Sequence, residues 1–150
     1  MFDQMPYRTY SQEIRETFGH KVIKLTLSTP TTCPNRDGTI DKKGCHFCDR
    51  FGSKSFFPAR AHQISDQIKE TIPHLKERFN TDKFISYLQN YTNTYGPINF
   101  LREMYDRALD HESIVGLDIA TRPDCLEDPI LELLSEYENK THLTLEIGVQ

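Results

Sequence analysis

Four extended segments alternate with helical ones along this chain, and that order restricts the fold more than any other feature. "KVIKLTLST" sets Ile23, Leu25 and Leu27 on one side against Lys24, Thr26 and Ser28 on the other, the period-two pattern of a strand. "KFISYLQ", "SIVGLDIAT" and "THLTLEIGVQ" read as the second, third and fourth strands. Between the first two, "AHQISDQIKETIPHLKERF" lines up Ile64, Ile68, Ile72, Leu75 and Phe79 on one helical stripe, with Pro73 expected to kink or split it. "PINFLREMYDRALDH" opens at Pro97 and buries Leu101, Met104, Tyr105 and Ala108. "DPILELLSEYE" reads as a helix capped by Asp128, with Pro129 at its first position. A short N-terminal helix, "SQEIRETFG", runs from an N-cap at Ser11 to Gly19. Such alternation implies right-handed βαβ units and a parallel sheet.

The two faces of the strands differ. In the fourth, Leu143, Leu145, Ile147 and Val149 share one face, and Thr144, Glu146, Gly148 and Gln150 the other. In the third, Val115, Leu117 and Ile119 oppose Gly116, Asp118 and Ala120. A parallel sheet covered by helices on both sides is apolar on both. One apolar and one small or polar face fits a barrel wall lined for a ligand. The expected class is therefore α/β, a partial parallel (β/α) barrel of about four βα units with a short N-terminal helix. The plainer alternative is an open four-stranded α/β sheet. Four strands cannot close a parallel barrel, so residues 1–150 are expected to form the N-terminal part of a longer barrel domain, cut at strand four.

A chain of 150 residues suits one domain with a real core. With 37% apolar and 27% charged residues it has ordinary globular composition. No apolar run approaches the ~20 residues a spanning helix needs, so no membrane partner is expected. "MFDQMPYRTYSQ" has no hydrophobic signal core, which makes the cytoplasm the expected compartment and reduced thiols the expected state. The net charge of −4 leaves no nucleic-acid footprint by itself and excludes no partner.

Against that background, "TCPNRDGTIDKKGCHFCDRFGS" packs Cys33, Cys45 and Cys48 into one loop after the first strand. Four readings compete. A disulfide suits neither the compartment nor an odd number of thiols. Inert buried cysteines rarely come as C-x-x-C. Structural zinc wants a fourth ligand, which His46, His20 or Cys125 could supply. Three thiolates on a four-iron cluster would leave one iron open, at the strand end where parallel barrels place their chemistry.

The loop, with Phe47 just before its last cysteine, resembles the radical S-adenosylmethionine superfamily. The eleven-residue gap "PNRDGTIDKKG" departs from that superfamily's commonest spacing and resembles the branch related to the Elongator catalytic subunit. "TCPNRDGT", "GCHFC", "YLQNYTNTYGP", "ATRPDCL" and "LEIGVQ", in that order, look like the YtqA/YhcC-type proteins of the branch. The resemblance covers Val22 to Gln150. It implies that Cys33, Cys45 and Cys48 ligate a 4Fe–4S cluster, whose open iron chelates S-adenosyl-L-methionine. It further implies reductive cleavage to a 5′-deoxyadenosyl radical, with an electron donor such as flavodoxin or ferredoxin and tRNA wobble uridine as the suggested substrate.

The same resemblance implies cofactor contacts. Phe47 would lie near the adenine, or else anchor the loop on the barrel rim. Where relatives have a Gly-Gly-Glu-like stretch, this chain has residues 89–94, so Gln89, Thr92 and Asn93 would offer amides and hydroxyls in place of the carboxylate. Glu146 and Gln150 project from one face of strand four, Gln150 at the ribose-contacting position; an exposed polar face is the alternative. Asp118, Thr121 and Arg122 are expected to line the cavity, unless Arg122 pairs with Asp124. Cys125 reads as a bystander. "DRFGSKSFFPAR" interleaves basic and aromatic residues and reads as a shield for the cluster, or as a phosphate and base contact. The competing functions are a zinc-stapled binding module without redox chemistry and an inactive half barrel.

Overall fold

The computed structural model describes residues 6–49, 52 and 63–149. Its frame is a four-stranded, all-parallel sheet of β1 (Ile23–Leu27), β2 (Phe84–Leu88), β3 (Ile114–Thr121) and β4 (His142–Ile147), in that spatial order. The helices are α1 (Tyr10–Phe18), α2 (Pro34–Asp37), α3 (Ile64–Phe79), α4 (Ile98–Leu109) and α5 (Asp128–Glu138).

The helical stripes decide where the core sits. Ile64, Ile68, Ile72 and Leu75 of α3, Leu101, Met104, Tyr105 and Ala108 of α4, and Ile130, Leu133, Leu134 and Tyr137 of α5 form one cluster. They pack on Leu25, Leu27, Phe84, Leu88, Leu117 and Ile119, so all three connecting helices cover the same face of the sheet. Helix α3 continues through Pro73 as one element; it is not split.

α1 lies on the opposite face, where Ile14 joins Val22, Ile85, Phe18 and Val115. This corrects the expected side for Val115. The register slips between Phe84 and Ile85, which face Ile114 and Gly116, so Val115 is an extra residue and turns away from Leu117 and Ile119. The caps also differ from expectation. Thr9, not Ser11, caps α1, because Thr9 and Gln12 satisfy each other's backbone N–H groups in a capping box. Glu127, not Asp128, is the N-cap of α5, its carbonyl accepting from the N–H of Ile130 and Leu131.

The polar face carries one connected layer. Lys24 Nζ pairs with Asp118 at 2.8 Å and with Glu146. Tyr10 donates to Asp118 at 2.8 Å, and Tyr87 to Glu146 at 2.6 Å. The ammonium also stands over the rings of Tyr10 and Tyr87, 4.1 and 4.3 Å from their centroids.

Candidate functional site

The chemistry-bearing loops gather at the C-terminal ends of the strands. After β1 the chain reaches Cys33, whose carbonyl accepts from the N–H groups of Arg36 (2.8 Å) and Asp37 (3.1 Å), opening the short α2. The eleven residues before Cys45 then double back. Ile40 N–H donates to Pro34 O at 2.8 Å, and Gly44 N–H to Asn35 O at 2.8 Å. Gly44 has φ 76°, and a Cβ there would lie 3.1 Å from the Arg36 guanidinium, so glycine suits both the turn and the close approach. A gap that is long in sequence thus becomes short in space. Cys48 N–H donates to Cys45 O at 3.0 Å and closes the C-x-x-C turn.

All three thiols are free and line one cavity of ≈ 760 Å³. Each sulfur has its own donor. Asn35 Nδ2 reaches Cys45 Sγ at 3.1 Å, Arg36 Nη2 reaches Cys48 Sγ at 3.2 Å, and Arg122 Nη1 reaches Cys33 Sγ at 3.7 Å. Arg36 is held in place by the carbonyls of Cys48 and Asp49, and stands 5.6 Å from the centroid of the Tyr91 ring. Among the described residues, no three His, Cys, Asp or Glu side chains form a group that could hold a single metal ion. A zinc ion would need its thiolates converged at about 2.3 Å from one point, whereas a four-iron cluster gives each thiolate its own iron and tolerates wider spacing. Three thiols, each with its own N–H donor, suit a group that takes thiolate ligands.

The far wall comes from the segment after β2 and the end of β3. Gln89 and Thr92 line the cavity, as do Thr121, Arg122 and Glu146. Thr92 is buried, its N–H donates to Thr32 O at 3.2 Å, and its Oγ1 has no partner among the described residues; Asn35 Oδ1 is likewise unpartnered. Phe47 lines the cavity with a ring that is 64% exposed, so it does not anchor the loop by burial. Arg122 does both things expected of it, lining the cavity while bidentate to Asp124 at 2.8 and 2.7 Å.

Two expected cavity residues lie elsewhere. Asn93 is fully buried and acts as a hub. Its Oδ1 accepts from Thr29 and Thr31 (2.7 and 3.2 Å), and its Nδ2 donates to the carbonyls of Leu88, Asn90 and Ala120. Those bonds exhaust the amide, so Asn93 holds the wall and does not face a ligand. Asp118 is also fully buried, and one carboxylate oxygen is taken by Lys24 and Tyr10 beneath the cavity. Gln150 and most of "DRFGSKSFFPAR" lie outside the described residues. Sequence reasoning missed Asn35, Arg36 and Tyr91. The first two directly follow "CP", a signal of position only; nothing local foretells that the loop returns over them.

The electrostatics of the layer below follow from burial. Burial and hydrogen bonds to carboxylates hold the Tyr10 and Tyr87 hydroxyls protonated well above the usual tyrosine range. Burial alone would raise Glu146, but bonds from Lys24 and Tyr87 outweigh it and keep its carboxyl below the ordinary value. Burial pushes the Cys125 thiol up to about 11, helped by Asp124.

Fold and site together define an α/β protein whose parallel sheet carries a three-thiol cavity at its C-terminal edge. The chain is 40% identical over 144 residues to YtqA of Bacillus subtilis, covering 96% of this chain and 45% of that protein. It is 39% identical over 143 residues to YhcC of Escherichia coli K12, covering 94% and 45%. A Methanocaldococcus jannaschii protein is 33% identical over 148 residues, covering 96% and 44%. YtqA and the archaeal protein are described as uncharacterized. The chain spans about half the length of the curated relatives it matches. No family model and no solved structure matches it. Among the described residues, no helix is long and apolar enough to cross a membrane.

Proposed function

We propose that this chain is the cluster-binding part of a radical S-adenosylmethionine enzyme. The observation that carries the reading is the set of three free thiols on one cavity wall, each met by its own N–H donor. Cys33, Cys45 and Cys48 would hold a 4Fe–4S cluster, which, when bound and reduced, supplies the electron that cleaves S-adenosyl-L-methionine to a 5′-deoxyadenosyl radical.

The chain's own residues supply binding and orientation. Asn35, Arg36 and Arg122 fix the sulfur positions. The unpartnered oxygens of Thr92 and Asn35, with the Gln89 amide, offer polar partners on the cavity wall for a ligand's amino and hydroxyl groups. The exposed Phe47 ring is free to stack on an adenine. Glu146 is fixed by Lys24 and Tyr87 at the cavity edge.

A partial (β/α) barrel is supported by sequential strand order and by connecting helices confined to one face. A cytoplasmic setting, a flavodoxin- or ferredoxin-type donor and a tRNA wobble-uridine substrate rest on the resemblance to the Elongator-related branch. The test is anaerobic reconstitution with iron and sulfide, followed by a visible spectrum and a 5′-deoxyadenosine assay after reduction. Brown protein that yields 5′-deoxyadenosine is expected. Colourless protein retaining one tightly bound zinc would overturn the reading in favour of a zinc-stapled module. A cluster that never cleaves S-adenosylmethionine would leave an inactive half barrel.

A further inference from the structure

We propose that Arg36 and Arg122 set the reduction potential at the three-thiol site, and that Asp124 restrains Arg122 in doing so; the proposal rests on the iron–sulfur reading above. Uptake of one electron adds one negative charge to the site and makes or breaks no bond. Hydrogen bonds to the sulfurs and nearby positive charge both favour the reduced state, and so raise the potential.

The donors are unequal. Cys45 receives a neutral amide N–H from Asn35 at 3.1 Å, while Cys48 and Cys33 receive guanidinium N–H groups at 3.2 and 3.7 Å. Arg36 is held by two backbone carbonyls and packs closely over Gly44, where a Cβ would lie 3.1 Å from the guanidinium. Its charge is therefore fixed beside Cys48. Arg122 turns Nε and Nη2 to Asp124 and leaves Nη1 for Cys33. Asp124 thus orients the guanidinium while cancelling part of its field. At a partly open cavity, charges this close are only partly screened.

The experiment is a mediated reductive titration with dithionite of the anaerobically reconstituted chain, followed by visible bleaching and by the paramagnetic resonance of the reduced state, with iron counted in every sample. Arg36→Gln and Arg122→Gln are each expected to lower the reduction equilibrium constant about tenfold, a downward shift of about 59 mV for a one-electron couple. Arg36→Lys and Arg122→Lys should recover most of the shift. Asp124→Asn is expected to move the potential upward, a sign that simple damage to the site would not produce. Variants that keep their iron yet titrate within threefold of the parent overturn the proposal. If the glutamine variants lose iron, Asp124→Asn and the lysine variants decide it, and an unmoved or lowered Asp124→Asn potential overturns it. A parent chain that takes up no iron and sulfide overturns the cluster reading itself, and this proposal with it.

Discussion

Lys24 on β1 and Glu146 on β4 form an ion pair across the full width of the sheet. In register, Lys24 aligns through Ile85 and Gly116 with His142, four residues before Glu146. On a flat sheet that is ~14 Å across three strand spacings and ~13 Å along the strand, farther than an extended lysine and glutamate can bridge. The polar face must therefore be concave, with strands tilted so that positions climb from β1 to β4.

Breaking the layer on its cationic side should be severe. Lys24→Met leaves the fully buried Asp118 carboxylate without its cation and is expected to lose about 3–5 kcal/mol. Adding Asp118→Leu should recover part of that loss. Urea unfolding midpoints of the single and double variants measure both.

Stability should fall on both sides of neutrality. Tyr10 and Tyr87 are raised in the fold, and Lys24 is raised too, its carboxylate partners outweighing burial. Groups raised by folding stabilise fully below their unfolded values near 10 and lose that contribution as pH climbs past them. Glu146 is depressed, so its contribution is present above about pH 4.3 and is lost as pH falls further. Urea midpoints at pH 8 should exceed those at pH 10.5 and pH 4. Tyr10→Phe with Tyr87→Phe should flatten the alkaline limb; an unchanged slope would count against the network.

Asn93→Ala should unfold the chain more readily by about 3 kcal/mol, since it removes the acceptor shared by the Thr29 and Thr31 hydroxyls and the side-chain donor to three interior carbonyls. Calorimetry measures the change. A loss under about 1 kcal/mol would mean that water replaces the amide.

Cys125→Ser should keep its iron after reconstitution, because a thiol held protonated up to about 11 is a poor ligand near neutrality. Ser at Cys33, Cys45 or Cys48 should lose most of it. Iron per chain is the readout, and equal losses at all four positions would remove the distinction.

Gly52→Ala should disturb the site from outside the thiols. Gly52 has φ 68°, and its Cβ would lie 2.4 Å from the Tyr91 ring, which faces Arg36. Displacement of Tyr91 should lower iron retention and alter tyrosine fluorescence together.

The strands and the three long helices were legible because period-two and period-3.6 patterns need no distant partner to be read. Val115 was not, since one extra residue opposite Ile85 reverses its side and no local residue announces the slip. Asn93 and Asp118 were misassigned to the cavity for a related reason. Their polarity was visible, but Thr29, Thr31, Lys24 and Tyr10, which bind them, come from distant parts of the chain, and Asp118 Oδ1 has no partner among the described residues. The three cysteines stood out by spacing, whereas the donors to their sulfurs emerge only once the loop has doubled back.

The Asn93 hub has a mechanical consequence. Thr31 lies two residues before Cys33, and Thr92 immediately before Asn93, so both jaws of the cavity are tied into one buried knot. Neither jaw can swing without dragging the other. The cavity between them is therefore a vise of fixed gape.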